Sequence, residues 1–318
     1  MTTTTELNTK FAEDVLEGLR ADTKYLSSRY FYDSAGDKLF QQIMDLEEYY
    51  LTRAELQVFE THKKSISEVF GDSFRLIELG AGDGLKTKVL LKQLMSDQVH
   101  LTYSPVDISG EILIELEKSI TAEIPRLQTG VLVGDYFHVM HDVVYKSPRK
   151  NVVLFLGSNI GNYEGEVRSE FLRQLHQNLN VGDLVLIGFD LKKDPSVILD
   201  AYHDKKGITA AFNKNLLHRI NREFAANFNV DMFQHYPSYN PQTGECRSYL
   251  LSTAEQKIEI PMLDAAVEFR QWETILMEIS KKFDIKEIDD LARQHGFIVE
   301  SNFQDDKNWF VDSIWRVQ

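Results

Sequence analysis

The hydrophobic rhythm of the chain changes twice along its length. Through about residue 70, apolar positions recur at helical spacing: Phe11, Val15, Leu16 and Leu19 would share one helix face. Thr52-Arg53-Ala54-Glu55 has the form of a capping box, which predicts a helix starting there. Leu56, Phe59, Ile66 and Phe70 would be its inward side. Between these helices Tyr25, Tyr30, Phe31, Tyr32, Phe40, Tyr49 and Tyr50 crowd together, as a packing cluster would.

From Phe74 the pattern alternates. FRLIEL, VHLTYSPVD, TGVLVGD, NVVLFLG and DLVLIGFDL read as strands. LKTKVLLKQLM, SGEILIELEKSI and EVRSEFLRQLHQNL read as the amphipathic helices between them. Nearly continuous apolar strands separated by helices predict an α/β fold, with a mostly parallel sheet covered on both faces. After about Lys193 the alternation stops. One helical stretch, AYHDKKGITAAFNKNLLHRINREFAANF, leads into VDMFQHYP, CRSYLLSTA, KIEIPML, AAVEFR and TILMEIS. Their short connections predict antiparallel pairing. A helix, KEIDDLARQHG, and a C-terminal antiparallel hairpin, FIVESNFQ with WFVDSIWRV, close the chain.

Composition narrows the function. A formal charge of -14 with no basic block argues against nucleic acid and against an anionic membrane surface. One cysteine, Cys246, excludes an intrachain disulfide and a cysteine-rich zinc site, which fits a reducing compartment. The first residues, MTTTTELNTKF, carry neither a basic nor an apolar leader segment, and no apolar run approaches bilayer length. A cytoplasmic protein is expected. No metal is expected either: His138, His141 and Asp142 lack further ligands at a suitable spacing. Trp272, Trp309 and Trp315 are expected in the core.

Candidate chemistry begins at Glu78-Leu79-Gly80-Ala81-Gly82-Asp83-Gly84, between the first predicted strand and its helix. Glycines there let a ligand approach the backbone closely. The spacing departs from Gly-x-Gly-x-x-Gly, because Leu85 stands where the third glycine of a dinucleotide site would fall. It resembles the Glu-x-Gly-x-Gly-x-Gly motif of class I, Rossmann-like S-adenosylmethionine-dependent methyltransferases. Asp107, about 20 residues on, ends the second strand where an acceptor for ribose hydroxyls belongs. Asp135 ends the third, placed for an adenine amino group, with Tyr136 beside it to stack. Lys86, a cation in the first turn of a helix, opposes the helix dipole and is a candidate for the cofactor carboxylate.

FYDSAGDKLFQQI, EEYYLTRAE, ELGAGDGLKT, FLGSNIGN, AYHDKKGITAAFNKN and MEISKKF extend the likeness over nearly the whole chain. Together they resemble the histidine-specific Nα-methyltransferases of the ergothioneine pathway. The resemblance implies a methyltransferase domain over 53–192 and 283–318, and an α+β substrate-binding domain over 1–52 and 193–282. It implies methyl transfer from S-adenosylmethionine to the α-amino nitrogen of L-histidine, up to the trimethylated product; a monomer is expected. Tyr49, Asn162 and Tyr202 match positions holding the substrate carboxylate and amine. Tyr32 and Phe40 match aromatics at the amine end, with Gly157 close by, and Tyr32 and Asn162 are the catalytic candidates. Glu278 and Ser280 match the pair that binds imidazole. Gly80, Gly82, Gly84, Lys86, Asp107, Asp135 and Tyr136, with Tyr49, are the cofactor candidates.

On a strand, Glu278 and Ser280 would share a face about 6.6 Å apart, twice the strand rise, which suits the two nitrogens of one imidazole. Two positions depart from the family: Asn159 replaces a threonine near the amine, and Ser248 replaces a larger apolar residue near the imidazole. Methylation of a different free amino acid, and a module that binds S-adenosylmethionine without turning it over, remain the alternatives.

Overall fold

The computed structural model describes residues 4–107, 110–134, 136–137, 139–140 and 149–318. In chain order the strands are β1 (Ser73–Leu79), β2 (His100–Asp107), β3 (Gln128–Thr129), β4 (Leu132–Val133), β5 (Asn151–Phe155) and β6 (Leu184–Asp190). β7 (Phe233–Asn240), β8 (Glu245–Ser252), β9 (Gln256–Ile260), β10 (Ala265–Phe269), β11 (Thr274–Lys281), β12 (Phe297–Gln304) and β13 (Phe310–Val317) follow. The chain forms two compact units: Met1–Tyr50 with Lys193–Ser280, and Leu51–Lys192 with Lys281–Gln318.

The second unit is an eight-stranded sheet in the order β12-β13-β6-β5-β1-β2-β3, with β4 also on β2. β5, β1, β2 and β6 run parallel, and β13 lies antiparallel to both β6 and β12. This is the Rossmann-like sheet expected from the sequence, with its antiparallel C-terminal hairpin. Apolar side chains cover both faces. Ile77, Val153, Ile187 and Trp315 pack in one core, and Phe59, Leu76, Leu90 and Leu154 in another. β5 and β6 are buried along their whole length, as their unbroken apolar runs require.

Three expectations fail here. The helix Leu51–Phe70 starts before Thr52, so no capping box forms there; Glu55 points inward and is buried. TGVLVGD yields only the two-residue strands β3 and β4, interrupted at Gly130. Trp272 is 58% exposed, because it occupies a turn with φ of 68° between β10 and β11.

The first unit has a three-stranded sheet, β11-β8-β7, and a hairpin, β9-β10. Its core joins Phe11, Val15 and Leu19 of the first helix to Phe31, Phe212, Leu216, Ile275 and Met277. The long helical stretch expected after residue 200 is two helices, Pro195–Tyr202 and Ile208–Phe224. The break is built by Gly207, with φ of 72°, and by Asp204, whose carboxylate accepts from Ile208 N and Thr209 N at 2.9 and 2.8 Å. The main chain of residues 24–26 bonds Leu276 of β11 through Leu26 N to Leu276 O and Leu276 N to Lys24 O, both at 2.9 Å.

Candidate active site

Two groups of the predicted residues come together, one within each unit. The first lies at the carboxyl ends of β1 and β5, adjacent parallel strands where the sheet order reverses. Ligands of open α/β sheets bind at such a switch point. After β1 the chain turns through Gly80, Gly82 and Gly84, with φ of 74°, 53° and 66°. Those left-handed conformations require glycine. A Cβ on Gly80 would also lie 2.7 Å from the Tyr136 hydroxyl. In the turn after β5, a Cβ on Gly157 would lie 3.5 Å from the Asn159 amide and 3.7 Å from Lys86 Nζ. Gly80, Lys86, Tyr136, Gly157 and Asn159 are thereby neighbours. Asp107, half-buried, closes β2, and Asn162 closes the single turn Asn159–Asn162. Asp135 lies outside the described residues, as do His138, His141 and Asp142.

The turn after β5 is held under strain. Ser158 adopts φ of 56°, unusual for a residue with a Cβ. Its hydroxyl accepts from Asp190 N at 2.9 Å, and Asp190 in turn pairs with Lys282 at 2.8 Å, both side chains fully buried. Gly157 N donates to both oxygens of Glu55, at 2.8 and 3.1 Å. The same Glu55 carboxylate pairs with Lys86 Nζ. Burial alone would depress the Lys86 ammonium, but the Glu55 carboxylate, with Asp312 and Glu78 behind it, holds its pKa above the usual lysine value.

Glu78, just before the glycine turn, accepts from Thr87 Oγ1 at 2.5 Å and from the Tyr103 hydroxyl. Burial pushes its pKa up to about 7, against the pull of those two donors. Asp312 of β13 is fully buried, and neither of its oxygens has a hydrogen-bond partner among the described residues. Burial and then the Glu55 charge raise its pKa well above the usual carboxylate range.

In the first unit, β11 buries Ile275, Met277 and Ile279 on one face. On the other, Glu278 is half-buried and Ser280 buried, so this face is not simply solvated. Tyr202 and Ser280 share a hydrogen bond at 2.8 Å between their hydroxyls. The Tyr202 carbonyl contacts His235 Nε2 at 2.9 Å, and burial holds the His235 pKa below its ordinary value despite that contact. Ser248, on the neighbouring strand β8, is buried. Tyr32 is 45% exposed, and its ring meets Phe40 edge-on at 5.5 Å and Phe212 at 5.7 Å. Phe40 meets Tyr49 at 6.4 Å. Asp33 locks this segment by accepting from Gly36 N and Asn215 Nδ2, both at 2.8 Å. Gly36 has no alternative, since a Cβ there would sit 1.8 Å from Phe31 O.

The sequence profile of the family described as "Histidine-specific methyltransferase, SAM-dependent" matches residues 11–317. The chain belongs to this family. It is 37% identical over 270 residues to a histidine N-alpha-methyltransferase of Mycolicibacterium smegmatis, covering 85% of this chain and 83% of that one. With the histidine N-alpha-methyltransferase of Mycobacterium tuberculosis the identity is 35% over 272 residues, with the same coverage of 85% and 83%. The ergothioneine biosynthesis protein 1 of Schizosaccharomyces pombe is 27% identical over 293 residues, which span 88% of this chain and 37% of that protein.

The cradle fits the cofactor of this methyltransferase family. S-adenosylmethionine has no pyrophosphate, and its amino-acid arm and ribose need close backbone approach, which the three left-handed glycines supply. Sequence reasoning missed Phe212, around which Tyr32 and Phe40 pack, and missed Glu55 and Asp312 altogether. The AAFNKN motif held a signal for Phe212. Glu55 was hidden by a stronger pattern, the capping box it happens to complete.

Proposed function

We propose that this methyltransferase transfers methyl groups from S-adenosylmethionine to the α-amino nitrogen of free L-histidine, up to the trimethylated product. Membership of a histidine-specific family supports the substrate class. The observation that carries the finer reading is the polar face of β11, where half-buried Glu278 precedes a buried Ser280 already bonded to Tyr202. A carboxylate takes one imidazole N–H with charge assistance, and a hydroxyl can serve the second nitrogen in either protonation state. An apolar ring offers Glu278 no N–H to accept, which disfavours it.

When bound, the cofactor supplies an electrophilic methyl on a sulfonium, and the protein has to present a neutral amine to it. Tyr49, Tyr202 and Asn162 are assigned to the amino-acid end of the substrate. Tyr32 orients the amine or passes its proton to water. Gripping the substrate at both ends is what positioning demands, and orientation can supply roughly 7–11 kcal/mol of the barrier. Among the described residues no helix is long and apolar enough to cross a membrane. A monomeric cytoplasmic enzyme fits this role, and the buried free thiol of Cys246 is consistent with a reducing compartment.

The test is mass spectrometry after incubation with S-adenosylmethionine and a panel of free amino acids. Histidine should gain one, two or three methyl groups while the others stay unmodified; preferential modification of another amino acid would overturn the reading. Glu278→Ala should lower kcat/KM for histidine by about 1–3 kcal/mol, the cost of a lost charged hydrogen bond. Unchanged kinetics would remove Glu278 from the site.

A further inference from the structure

The turn after β1 and the turn after β5 form the two lips of the switch-point crevice, and one buried side chain reaches both. Glu55 comes from the helix Leu51–Phe70. Its carboxylate binds the ammonium of Lys86, in the first helical turn after the glycines, and the backbone N–H of Gly157 on the opposite lip. β6 makes room for it: a Cβ on Gly188 would lie 2.4 Å from Glu55 Oε1. Asp312 is paired with Gly188 across the β13–β6 ladder. An ionised Asp312 would be a second buried anion next to Glu55, with Lys86 the cation the two would share. A neutral Asp312 instead leaves one carboxylate matched to one ammonium.

We propose that Glu55 is a positioning residue for S-adenosylmethionine, fixing both lips of the crevice and keeping Lys86 charged and aimed at the cofactor carboxylate. The proposal rests on the cofactor assignment of the family. An ammonium has three donors, so Lys86 can hold Glu55 and a ligand carboxylate together. Without Glu55, burial would push the amine towards its neutral form against the lesser pull of Asp312 and Glu78, and that ligand contact would weaken as protons are lost.

The experiment is calorimetric titration of the intact protein with S-adenosylhomocysteine, which shares the amino-acid arm and needs no turnover. Glu55→Gln should weaken binding about tenfold near neutral pH, the scale of one charged hydrogen bond. Its affinity should fall further as pH rises from about 7 to about 9.5, where the wild-type affinity stays flat. That pH profile separates a role through Lys86 from simple loss of packing. Glu55→Asp keeps the charge but shortens the reach to Gly157, so it should weaken binding with a flat profile. Gly188→Ala should also weaken it, by crowding the carboxylate from β6. Asp312→Asn should leave affinity within about twofold, because one neutral group replaces another.

If Glu55→Gln folds and binds with wild-type affinity and wild-type pH dependence, the proposal falls. If Glu55→Gln cannot be purified, wild-type affinity in both Glu55→Asp and Gly188→Ala overturns it equally. If the wild-type protein itself binds no S-adenosylhomocysteine, the cofactor assignment fails and the proposal with it.

Discussion

The two units bury polarity in different currencies. Beneath the turns of the sheet unit lie ionisable groups: the pairs Glu55 with Lys86 and Asp190 with Lys282, and the acids Glu78 and Asp312. In the other unit, the buried polar groups around β11 are the hydroxyls of Tyr202, Ser248 and Ser280 and the imidazole of His235. The difference follows from what each set holds. The ionic set restrains main chain in costly conformations, the left-handed glycines and the strained Ser158. The hydroxyl set ties side chains to one another and, through His235, to the Tyr202 carbonyl, and it leaves donors and acceptors whose roles can exchange when a ring arrives.

Breaking an ion pair should therefore cost far more than breaking a hydroxyl pair. The largest effect is expected at Lys282→Met, which strands Asp190 in a fully buried site. Urea unfolding should show a loss of about 3–5 kcal/mol, and the double variant with Asp190→Asn should recover much of it. A loss under about 1 kcal/mol would show that the pair anchors nothing.

Glu78 comes next, and its effect depends on pH. Its folded pKa of about 7 lies above the ordinary 4.5. Between those values the folded chain keeps a proton that the unfolded chain releases. Stability should then fall as pH rises through that window and level off above it. Thermal unfolding across the window should show wild type losing roughly 3 kcal/mol more than Glu78→Gln. Parallel curves for the two proteins would mean that Glu78 is ionised throughout.

Ser280→Ala, which removes the neutral partner of Tyr202, should cost only about 1 kcal/mol in stability. Its larger signature should be a raised KM for the amino-acid substrate. A stability loss matching that of Lys282→Met would erase the contrast between the units.

Much of the fold was legible because long apolar runs leave few choices. β1, β2, β5 and β6, their helices and the closing hairpin stand where the pattern put them. What failed to show was decided by tertiary context. Thr52 and Glu55 carry a capping signature, yet the helix begins at Leu51 and the burial of Glu55 beside Lys86 overrides local preference. TGVLVGD has strand residues, but Gly130 and Gly134 interrupt it where it runs beside β2, and pairing shrinks to four residues. Trp272 looked like core by size alone, whereas the tight turn it occupies leaves its ring outside. In the candidate site, glycine spacing revealed the left-handed turns because only glycine adopts them cheaply. Glu55, Asp312 and Phe212 act from beneath or behind and contribute no motif of their own.

The contact of residues 24–26 with β11 has a consequence for the fate of the protein in crowded solution. β11 is an outer strand, and an outer strand with free amide and carbonyl groups is a template on which foreign chains can stack. Leu276 has both its main-chain groups engaged from that side. An intruding strand would have to displace this clasp before it could register along β11.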